Sequence, residues 1–217
     1  MLVQDALYAV ADGMGGHNGG KEASENVLSS IAQTLKDAEP SREQLLRAVE
    51  TANAHVCAMQ EADTSLSGMG TTLSLLWRKG DTLLAAHIGD SRIYLMRGGL
   101  LRQVSCDHSL VAEMIQNGLI THAEAETHPY RNVITRALGS QKQCEPDILM
   151  LPLHPEDRWL ICSDGLHGAV GRETIESAMG MQTPEKAADK LLEAALDSGG
   201  KDNISLVVLF SDEGVTL

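Results

Sequence analysis

Three aspartates share one local pattern although they lie far apart in the chain. Asp12, Asp164 and Asp202 each stand at the edge of an apolar run, beside a glycine or an amide residue. An apolar run of this length is typical of a buried strand, so the neighbouring carboxylate is held rigidly and partly shielded from water. Carboxylates on adjacent strand ends repel one another unless a hard cation lies between them. The pattern therefore predicts a divalent-metal site in a metal-dependent hydrolase.

The residues next to these aspartates add further polar groups. Gly13 has no side chain, so its backbone carbonyl can reach the same ion as the carboxylate of Asp12. Mg²⁺ and Mn²⁺ prefer such oxygen ligands. Asn203 offers an amide that would orient Asp202 without binding the ion itself. A solvated aspartate in a turn is the alternative for each motif alone, but three such motifs together favour the metal site.

Helical and strand-like segments are interleaved, which indicates an α+β domain. The spacing of apolar residues predicts helices over 21–35, from Ser41 onward, within 109–130 and after Thr183. Tight turns make the central strands antiparallel. The predicted strands cover 6–11, 71–77, 82–88, 92–96, 100–105, 132–138, 158–162 and 204–210. This order favours one sheet-rich core flanked by helices, and therefore a single domain over 1–217.

The bulk composition excludes several classes of partner. The net charge of −13 argues against a nucleic acid or an anionic membrane, since either would be repelled. No apolar stretch approaches the length of about 20 residues that crosses a bilayer. The four cysteines are scattered without a Cys-x-x-Cys pair, which argues against a zinc cage or a disulfide framework. We expect a cytoplasmic, monomeric protein with reduced thiols.

Seven short motifs give the chain a resemblance to the metal-dependent serine/threonine protein phosphatases, the type 2C-like family, in its bacterial form. The motifs lie at 10–16, 68–73, 87–92, 107–109, 135–139, 162–166 and 201–205. They follow the family's order and span nearly the whole chain, whereas any one of them alone would mean little. The resemblance implies two antiparallel β-sheets packed face to face, helices on both outer faces, and a metal cluster at one end.

The same resemblance implies a role for each matching residue. Asp12 would bridge two central cations, Mn²⁺ or Mg²⁺, and Gly13 would give its carbonyl to one of them. Asp164 and Asp202 would bind the other, while Asp107 with Asp164 would serve a third, weaker site. The implied reaction is hydrolysis of phosphoserine or phosphothreonine on proteins phosphorylated by a serine/threonine kinase. A metal-activated water attacks phosphorus, so the reaction needs no covalent enzyme intermediate.

The remaining motif residues are assigned mainly to structure. A hairpin turn explains the glycine of 89–92 and a local network explains its polar groups, so Asp90 is not counted as a ligand. His108 is interpreted as a packing residue, and His17 stays open as a general acid. The segment 109–130 matches the family's flap beside the catalytic cleft, where it either gates access or simply covers a sheet.

The sequence departs from the family pattern near its start and after Asp164. The family's first strand carries an arginine that grips the substrate phosphate, followed by acidic ligands, and Asp5 reproduces neither. We therefore expect an N-terminally shortened domain and leave the substrate-binding residues unknown. Gly168 stands where the family often has another acid, and Met14 where eukaryotic relatives commonly have histidine. A third cation would have fewer protein ligands and would bind weakly.

Two other functions fit the same residues. A phosphatase-like binding or regulatory module would keep the fold with weakened catalysis. A metal hydrolase acting on another phosphoester, such as a nucleotide, would keep the metal site with a different substrate. The acidic net charge disfavours long polyanions, but small phosphoesters remain open.

Overall fold

The computed structural model describes residues 1–4, 6–15 and 19–211, so Asp5, Gly16 and His17 lie outside the described residues. The strands are β1 (Leu2–Gln4), β2 (Leu7–Val10), β3 (Gly13–Met14), β4 (Gly70–Thr71), β5 (Leu73–Lys79), β6 (Thr82–Ile88), β7 (Arg92–Arg97), β8 (Leu100–Gln103), β9 (Asp147–Pro152), β10 (Arg158–Cys162) and β11 (Leu206–Phe210). The helices are α1 (Gly19–Leu35), α2 (Arg42–Ala62), α3 (Leu110–Gln116), α4 (His122–Glu126), α5 (Asp164–His167), α6 (Arg172–Met179) and α7 (Pro184–Asp197), with a 3₁₀ turn at Thr64–Leu66.

Two antiparallel sheets form the centre of the molecule. The first has the strand order β1-β2-β5-β6-β9 and the second has the order β11-β10-β7-β8. A short ribbon pairs β3 with β4. Within the second sheet, β10 lies between β7 and β11, with Ile161 opposite Ile93 on one side and Val207 on the other. The predicted antiparallel arrangement is confirmed.

The core consists of three apolar layers, as expected for sheets covered on both outer faces. Leu76 of the first sheet and Trp159 of the second belong to the layer between the sheets. Ile31 and Leu45 bury α1 and α2 against the outer face of the first sheet. Leu191 of α7 packs with α5 and α6 on the outer face of the second sheet. The predicted helix–sheet–sheet–helix sandwich is confirmed.

Side chains at the helix starts explain where several helices begin. Ser41 accepts a hydrogen bond from the Gln44 backbone N–H at 3.2 Å, and this cap begins α2. Thr121 and Glu124 form the reciprocal capping box predicted for α4. Thr183 caps α7, whose first residue is a proline. None of the helices in the described part of the chain is both long and apolar enough to pass through a bilayer.

The predicted strand at 132–138 is wrong. This segment is irregular and makes only two isolated bridges, Ser109 with Ile134 and Thr71 with Leu138. The first sheet is instead completed by β9, which pairs with β6 at its edge. The sequence shows only a short apolar run at 148–151, without the alternation that marks a strand exposed on one face, although Met150 is 72% exposed. The helix α6 was not predicted from the sequence either.

Candidate active site

The two sheets contribute one carboxylate each to the same end of the sandwich. Asp12 follows β2 of the first sheet, and Asp164 follows β10 of the second. The two strands contact each other between the sheets, and the two carboxyl groups are close enough for Asp164 to raise the pKa of Asp12. The structure therefore brings together two aspartates that are separated by most of the chain, as the strand-end pattern predicted.

The shared position changes the acidity of Asp12. Burial, the charge of Asp164, the hydrogen bond to Asp164 and the charges of Asp202 and Asp90 raise the pKa of Asp12 to about 7. A carboxyl group in this state resists ionisation because its neighbours carry the same charge. A divalent cation among these groups would remove the repulsion. The donor set of carboxylate oxygens fits Mg²⁺ or Mn²⁺.

Asp202 lies in the exposed loop before β11, next to the Asp164 turn. The backbone of Gly165 approaches the Asn203 carbonyl so closely that a Cβ at this position would overlap it. The Ser163 hydroxyl contacts the same carbonyl at 3.2 Å. The Asn203 backbone N–H donates to the Asp202 carboxylate at 2.7 Å, so the observed contact comes from the backbone rather than the predicted side-chain amide. These contacts hold the two aspartate segments together.

Gly13 lies in β3, directly after Asp12, and is exposed. Its backbone packs against Gly20 in the first turn of α1, where a Cβ on Gly13 would overlap the Gly20 carbonyl. The absence of a side chain is thus required by the approach of the helix as well as by any ion. The predicted carbonyl ligand lies beside the Asp12–Asp164 pair.

Two threonines fix the backbone of Asp12. The Thr71 hydroxyl donates to the Asp12 carbonyl at 2.9 Å, and the Thr72 backbone N–H donates to the same carbonyl at 2.9 Å. The Asp12 backbone N–H donates to the Thr72 hydroxyl at 3.0 Å, and this hydroxyl also contacts the Ser91 hydroxyl at 2.7 Å. The structural role expected for these threonines agrees with this network, which links Asp12 to the 89–92 turn.

Asp90 belongs to the same acidic group as Asp12 and Asp164, although it was not predicted to be a metal ligand. Burial and the charges of Asp164 and Asp107 raise the pKa of Asp90 to about 7. The His167 ring contacts the Asp90 backbone carbonyl through Nε2 at 3.0 Å and so ties the α5 turn to this residue. A usable signal was present in the sequence, since Asp90 follows the apolar strand β6 just as Asp12 follows β2.

Asp107 is bound by protein side chains. The Arg92 guanidinium donates from Nε to both carboxylate oxygens at 3.0 Å and from Nη2 to Oδ2 at 2.7 Å. The Gln103 side chain donates to Oδ1 at 2.7 Å. The residue assigned to a third cation therefore already faces a fixed positive charge.

Across the described ranges 1–4, 6–15 and 19–211, no three side chains of His, Cys, Asp or Glu lie close enough to bind one ion together. Asp164, Asp202 and Asp90 are nevertheless near enough to Asp12 for their charges to raise its pKa, after the larger effect of burial. The assignment of each metal ligand therefore stays a prediction. The structure supports the common location of these residues rather than their coordination.

His108 has the contacts of a packing residue, as expected. Its ring is buried, and its Nδ1 accepts a hydrogen bond from the Gly89 backbone N–H at 3.2 Å. Nε2 lies 3.4 Å from the Asp147 carboxylate, and burial lowers the pKa of His108. A cleft of about 220 Å³ opens beside this residue and α3, lined by Cys106, Asp107, His108, Glu113, Gln116, Arg136 and Asp147. The segment matched to a flap thus borders a cleft that reaches Asp107.

Comparisons with known proteins agree on one family. The model of the protein phosphatase 2C family matches residues 2–208. The serine/threonine protein phosphatase PstP of Mycobacterium tuberculosis is 42% identical over 205 residues, which cover 93% of this chain and 40% of that protein. The serine/threonine phosphatase stp of Listeria monocytogenes is 35% identical over 213 residues, or 95% of this chain and 84% of that protein. The chain spans about two fifths of the length of the mycobacterial relative.

Solved structures give the same result. The crystal structure of Mycobacterium tuberculosis PstP superposes with a TM-score of 0.92 and 40% identity, covering 98% of this chain and 91% of that one. The catalytic domain of PstP in complex with two manganese ions superposes with a TM-score of 0.88 and 38% identity, covering 97% and 90%. Because the family model spans nearly the whole chain and the relatives exceed 30% identity, this chain belongs to the protein phosphatase 2C family.

Proposed function

We propose that this chain hydrolyses phosphoserine and phosphothreonine monoesters on proteins, with two or three Mn²⁺ or Mg²⁺ ions. One observation carries the proposal: Asp12 and Asp164 meet at the same end of the two sheets, where burial and neighbouring charges raise the pKa of Asp12 to about 7. A group of carboxylates that disfavour their own ionisation is a strong candidate for a cation site. The relative crystallised with two manganese ions supports the choice of metal.

The residues of this chain would hold the cations and keep the site rigid. Asp12 would bridge two cations, and the Gly13 carbonyl, Asp164 and Asp202 would complete the binding set. Bound cations supply Lewis acidity that lowers the pKa of a water molecule and offsets charge on the phosphoryl oxygens. Thr71 and Thr72 contribute by fixing the Asp12 backbone, so that its carboxylate does not move as charge develops.

The substrate would be a phosphorylated protein segment, supplied by a serine/threonine kinase. The net charge of −13 favours segments with basic residues near the phosphate and disfavours nucleic acids. A single catalytic domain fits the apolar layer that both sheets share, and a cytoplasmic location fits the four free cysteines. We propose that the domain acts as a monomer. The flap segment 109–130 and the cleft beside it are the proposed place of substrate entry.

Phosphate release from a phosphothreonine peptide, with and without Mn²⁺, tests this function. We expect turnover only with the metal, and a loss of at least about 100-fold in Asp164→Asn, since removing a residue that only orients a ligand already costs 10- to 100-fold. Asp81→Asn is the matched control, because Asp81 is an exposed aspartate in the turn between β5 and β6, at the end of the first sheet opposite Asp12. We expect this control to match the wild type.

The same assay separates the alternatives. Metal binding without turnover on any phosphoester would favour a regulatory module over an enzyme. Faster phosphate release from a nucleotide than from the phosphopeptide would favour a small-molecule phosphoesterase. Turnover that is unchanged in Asp164→Asn would refute the proposed site.

A further inference from the structure

We infer that Arg92 is a positioning residue that serves as an internal counter-ion for Asp107, and that a cation binding at Asp107 must displace its guanidinium. The inference rests on the proposed function, because it concerns the weakest of the proposed cation sites. It adds a residue that neither the motif assignment nor the comparisons place in the site. Its consequence is a third cation site whose affinity is set by a competing side chain.

The geometry of the Arg92–Asp107 pair leaves little room for another ligand. Arg92 reaches both carboxylate oxygens, and Gln103 donates to Oδ1 as well. The two side chains are only 29% and 12% exposed. A planar guanidinium that binds a carboxylate through two nitrogens is among the strongest pairings that proteins use. A cation at Asp107 therefore has to exchange with existing donors rather than with water.

The charges around Arg92 give the pair its second effect. The guanidinium opposes the rise in the pKa of Asp90, and Asp107 in turn acts to raise the pKa of both Asp90 and Arg92. Arg92 thus offsets part of the negative charge of the acidic group and repels a second cation brought to the same carboxylate. Both effects weaken binding at Asp107 while they keep its carboxylate in place.

The guanidinium has partners to which it can move. Its Nη1 donates to the Tyr94 hydroxyl at 3.2 Å, and this contact does not involve Asp107. Asp90 lies close enough for its pKa to respond to the charge of Arg92. A displaced Arg92 would therefore keep one hydrogen bond and one neighbouring carboxylate. The exchange does not require the arginine to enter an apolar environment.

Titration of Mn²⁺ into the metal-free protein, followed by calorimetry and by the electron paramagnetic resonance signal of free Mn²⁺, tests the inference without an activity assay. We expect Arg92→Gln to bind the weakest Mn²⁺ about tenfold more tightly than the wild type, because the competing charge is gone. Arg92→Lys keeps the charge but not the paired contact, and we expect a smaller gain of about threefold. Binding of the tighter ions should stay unchanged.

Two further variants make the result specific. Asp107→Asn combined with Arg92→Gln should show no gain, because the carboxylate that receives the ion is absent. Arg97→Lys changes the equivalent arginine at the other end of β7, where Arg97 pairs with Asp157, and should bind Mn²⁺ like the wild type. Circular dichroism checks that each variant is folded, and Arg92→Lys replaces Arg92→Gln if the latter does not fold.

Unchanged or weaker binding of the last Mn²⁺ in the folded Arg92 variants would overturn the inference while leaving the proposed function intact. An equal gain in Arg97→Lys would also overturn it, because the effect would then be general. A wild-type protein that binds no Mn²⁺ would instead refute the proposed function. The two failures are thus distinguishable in one set of titrations.

Discussion

The two ends of strand β7 carry the same ion pair in different surroundings. Arg92 binds Asp107 at the end that faces the acidic group, and Arg97 binds Asp157 at the opposite end. In both pairs the arginine side chain is 29% exposed and the shortest N–O distance is 2.7 Å. The pairs therefore differ less in their own geometry than in what lies around them.

The Arg97–Asp157 pair is surrounded by backbone hydrogen-bonding groups. Asp157 is fully buried, accepts both Arg97 nitrogens and also accepts the His154 backbone N–H at 2.8 Å. Arg97 also donates to the Pro152 carbonyl at 2.9 Å, which ties the end of β9 to the turn before β10. The two charges of this pair are thus matched by each other and by backbone groups. The pair holds the connection between the two sheets in place.

The Arg92–Asp107 pair, in contrast, lies among other carboxylates. Asp90 and Asp12 both have pKa values raised to about 7 by burial and by their acidic neighbours. One arginine cannot compensate this group, so negative charge is left over at this end of the sheets. Perturbed acids of this kind concentrate at functional sites. The Arg97–Asp157 pair thus stabilises the fold at one end of β7, whereas the acidic group around the Arg92–Asp107 pair favours cation binding at the other.

This difference predicts that Mn²⁺ restores the stability lost on replacing Arg92 but not the stability lost on replacing Arg97. We expect Arg97→Gln to lower the free energy of unfolding by about 3 kcal/mol, since it leaves a buried carboxylate without its counter-charge. Arg92→Gln should also destabilise the metal-free protein, but saturating Mn²⁺ should restore it, because a cation replaces the lost guanidinium. Urea denaturation with and without Mn²⁺ measures both effects. Rescue of Arg97→Gln to the same degree would remove the distinction between the two ends.

A second prediction separates activity from stability. Asp164→Asn should reduce phosphatase activity by at least about 100-fold, as proposed above, while the Tm of the metal-free protein stays the same or rises. The physical reason is that Asp164 is the largest charged contributor to the raised pKa of Asp12, so its removal relieves repulsion. Differential scanning calorimetry of the metal-free variant provides the measurement. A clear fall in Tm would show that this carboxylate stabilises the fold instead.

The acidic group that contains Asp12 and Asp90 should also make the free energy of unfolding depend on pH. Asp12 and Asp90 have folded-state pKa values of about 7, against the ordinary 3.8, so the folded state holds their protons more tightly. Their contribution to stability is therefore present at low pH and is lost as the pH rises through 7. His87 and His167, whose pKa values burial lowers to about 4, act in the opposite direction below about pH 6.5. Between pH 6.5 and 8 the histidine effect fades as the unfolded-state imidazoles, with an ordinary pKa of 6.5, lose their protons. The carboxyl effect is therefore isolated by comparing the wild type with Asp90→Asn, in which the histidines are unchanged.

Over this window we expect the metal-free protein to lose about 1 kcal/mol for each carboxyl group that titrates, or about 2–4 °C in Tm per kcal/mol. Thermal unfolding at several pH values measures the slope. Asp90→Asn should reduce it, and Mn²⁺ should abolish it. A change in Tm from pH 6.5 to 8 that is the same in metal-free Asp90→Asn as in the metal-free wild type would contradict the acidity assigned to Asp90.

The sequence predicted the part of this arrangement that depends on strand ends. Asp12 and Asp164 follow apolar strands, and antiparallel sheets packed face to face bring such ends together. Asp90 has the same context and so carried the same signal, but a Gly-Asp-Ser turn explains its residues equally well, and the pattern alone did not decide between the two. The contact of Asp107 with Arg92 depends on how the segment after β8 folds back over the sheet, and no local spacing encodes that.

The strand at the edge of the first sheet also could not be predicted from local sequence alone. The segment 132–138 has enough β-branched residues to predict a strand, yet its backbone forms only isolated bridges and bonds to loops, such as Thr135 N–H to the His108 carbonyl at 2.9 Å. The true strand β9 is only partly buried, with Met150 and Pro152 exposed, because it lies at the edge of its sheet. Which of two similar segments joins a sheet is decided by tertiary contacts rather than by propensity.

The smallest predicted effect concerns the contact between the α5 turn and Asp90. His167 is neutral at pH 7 because burial lowers its pKa to about 4, so the single N–H that faces the Asp90 carbonyl at 3.0 Å is on Nε2. His167→Leu removes this donor, and we expect Mn²⁺ affinity to fall by up to about tenfold as Asp164 loses its fixed distance from Asp90. His167→Gln can place an amide N–H at the same point and should stay within about twofold of the wild type. Calorimetric titration of both variants measures this difference, and equal losses in the two would mean that the ring contributes by filling space rather than by donating to Asp90.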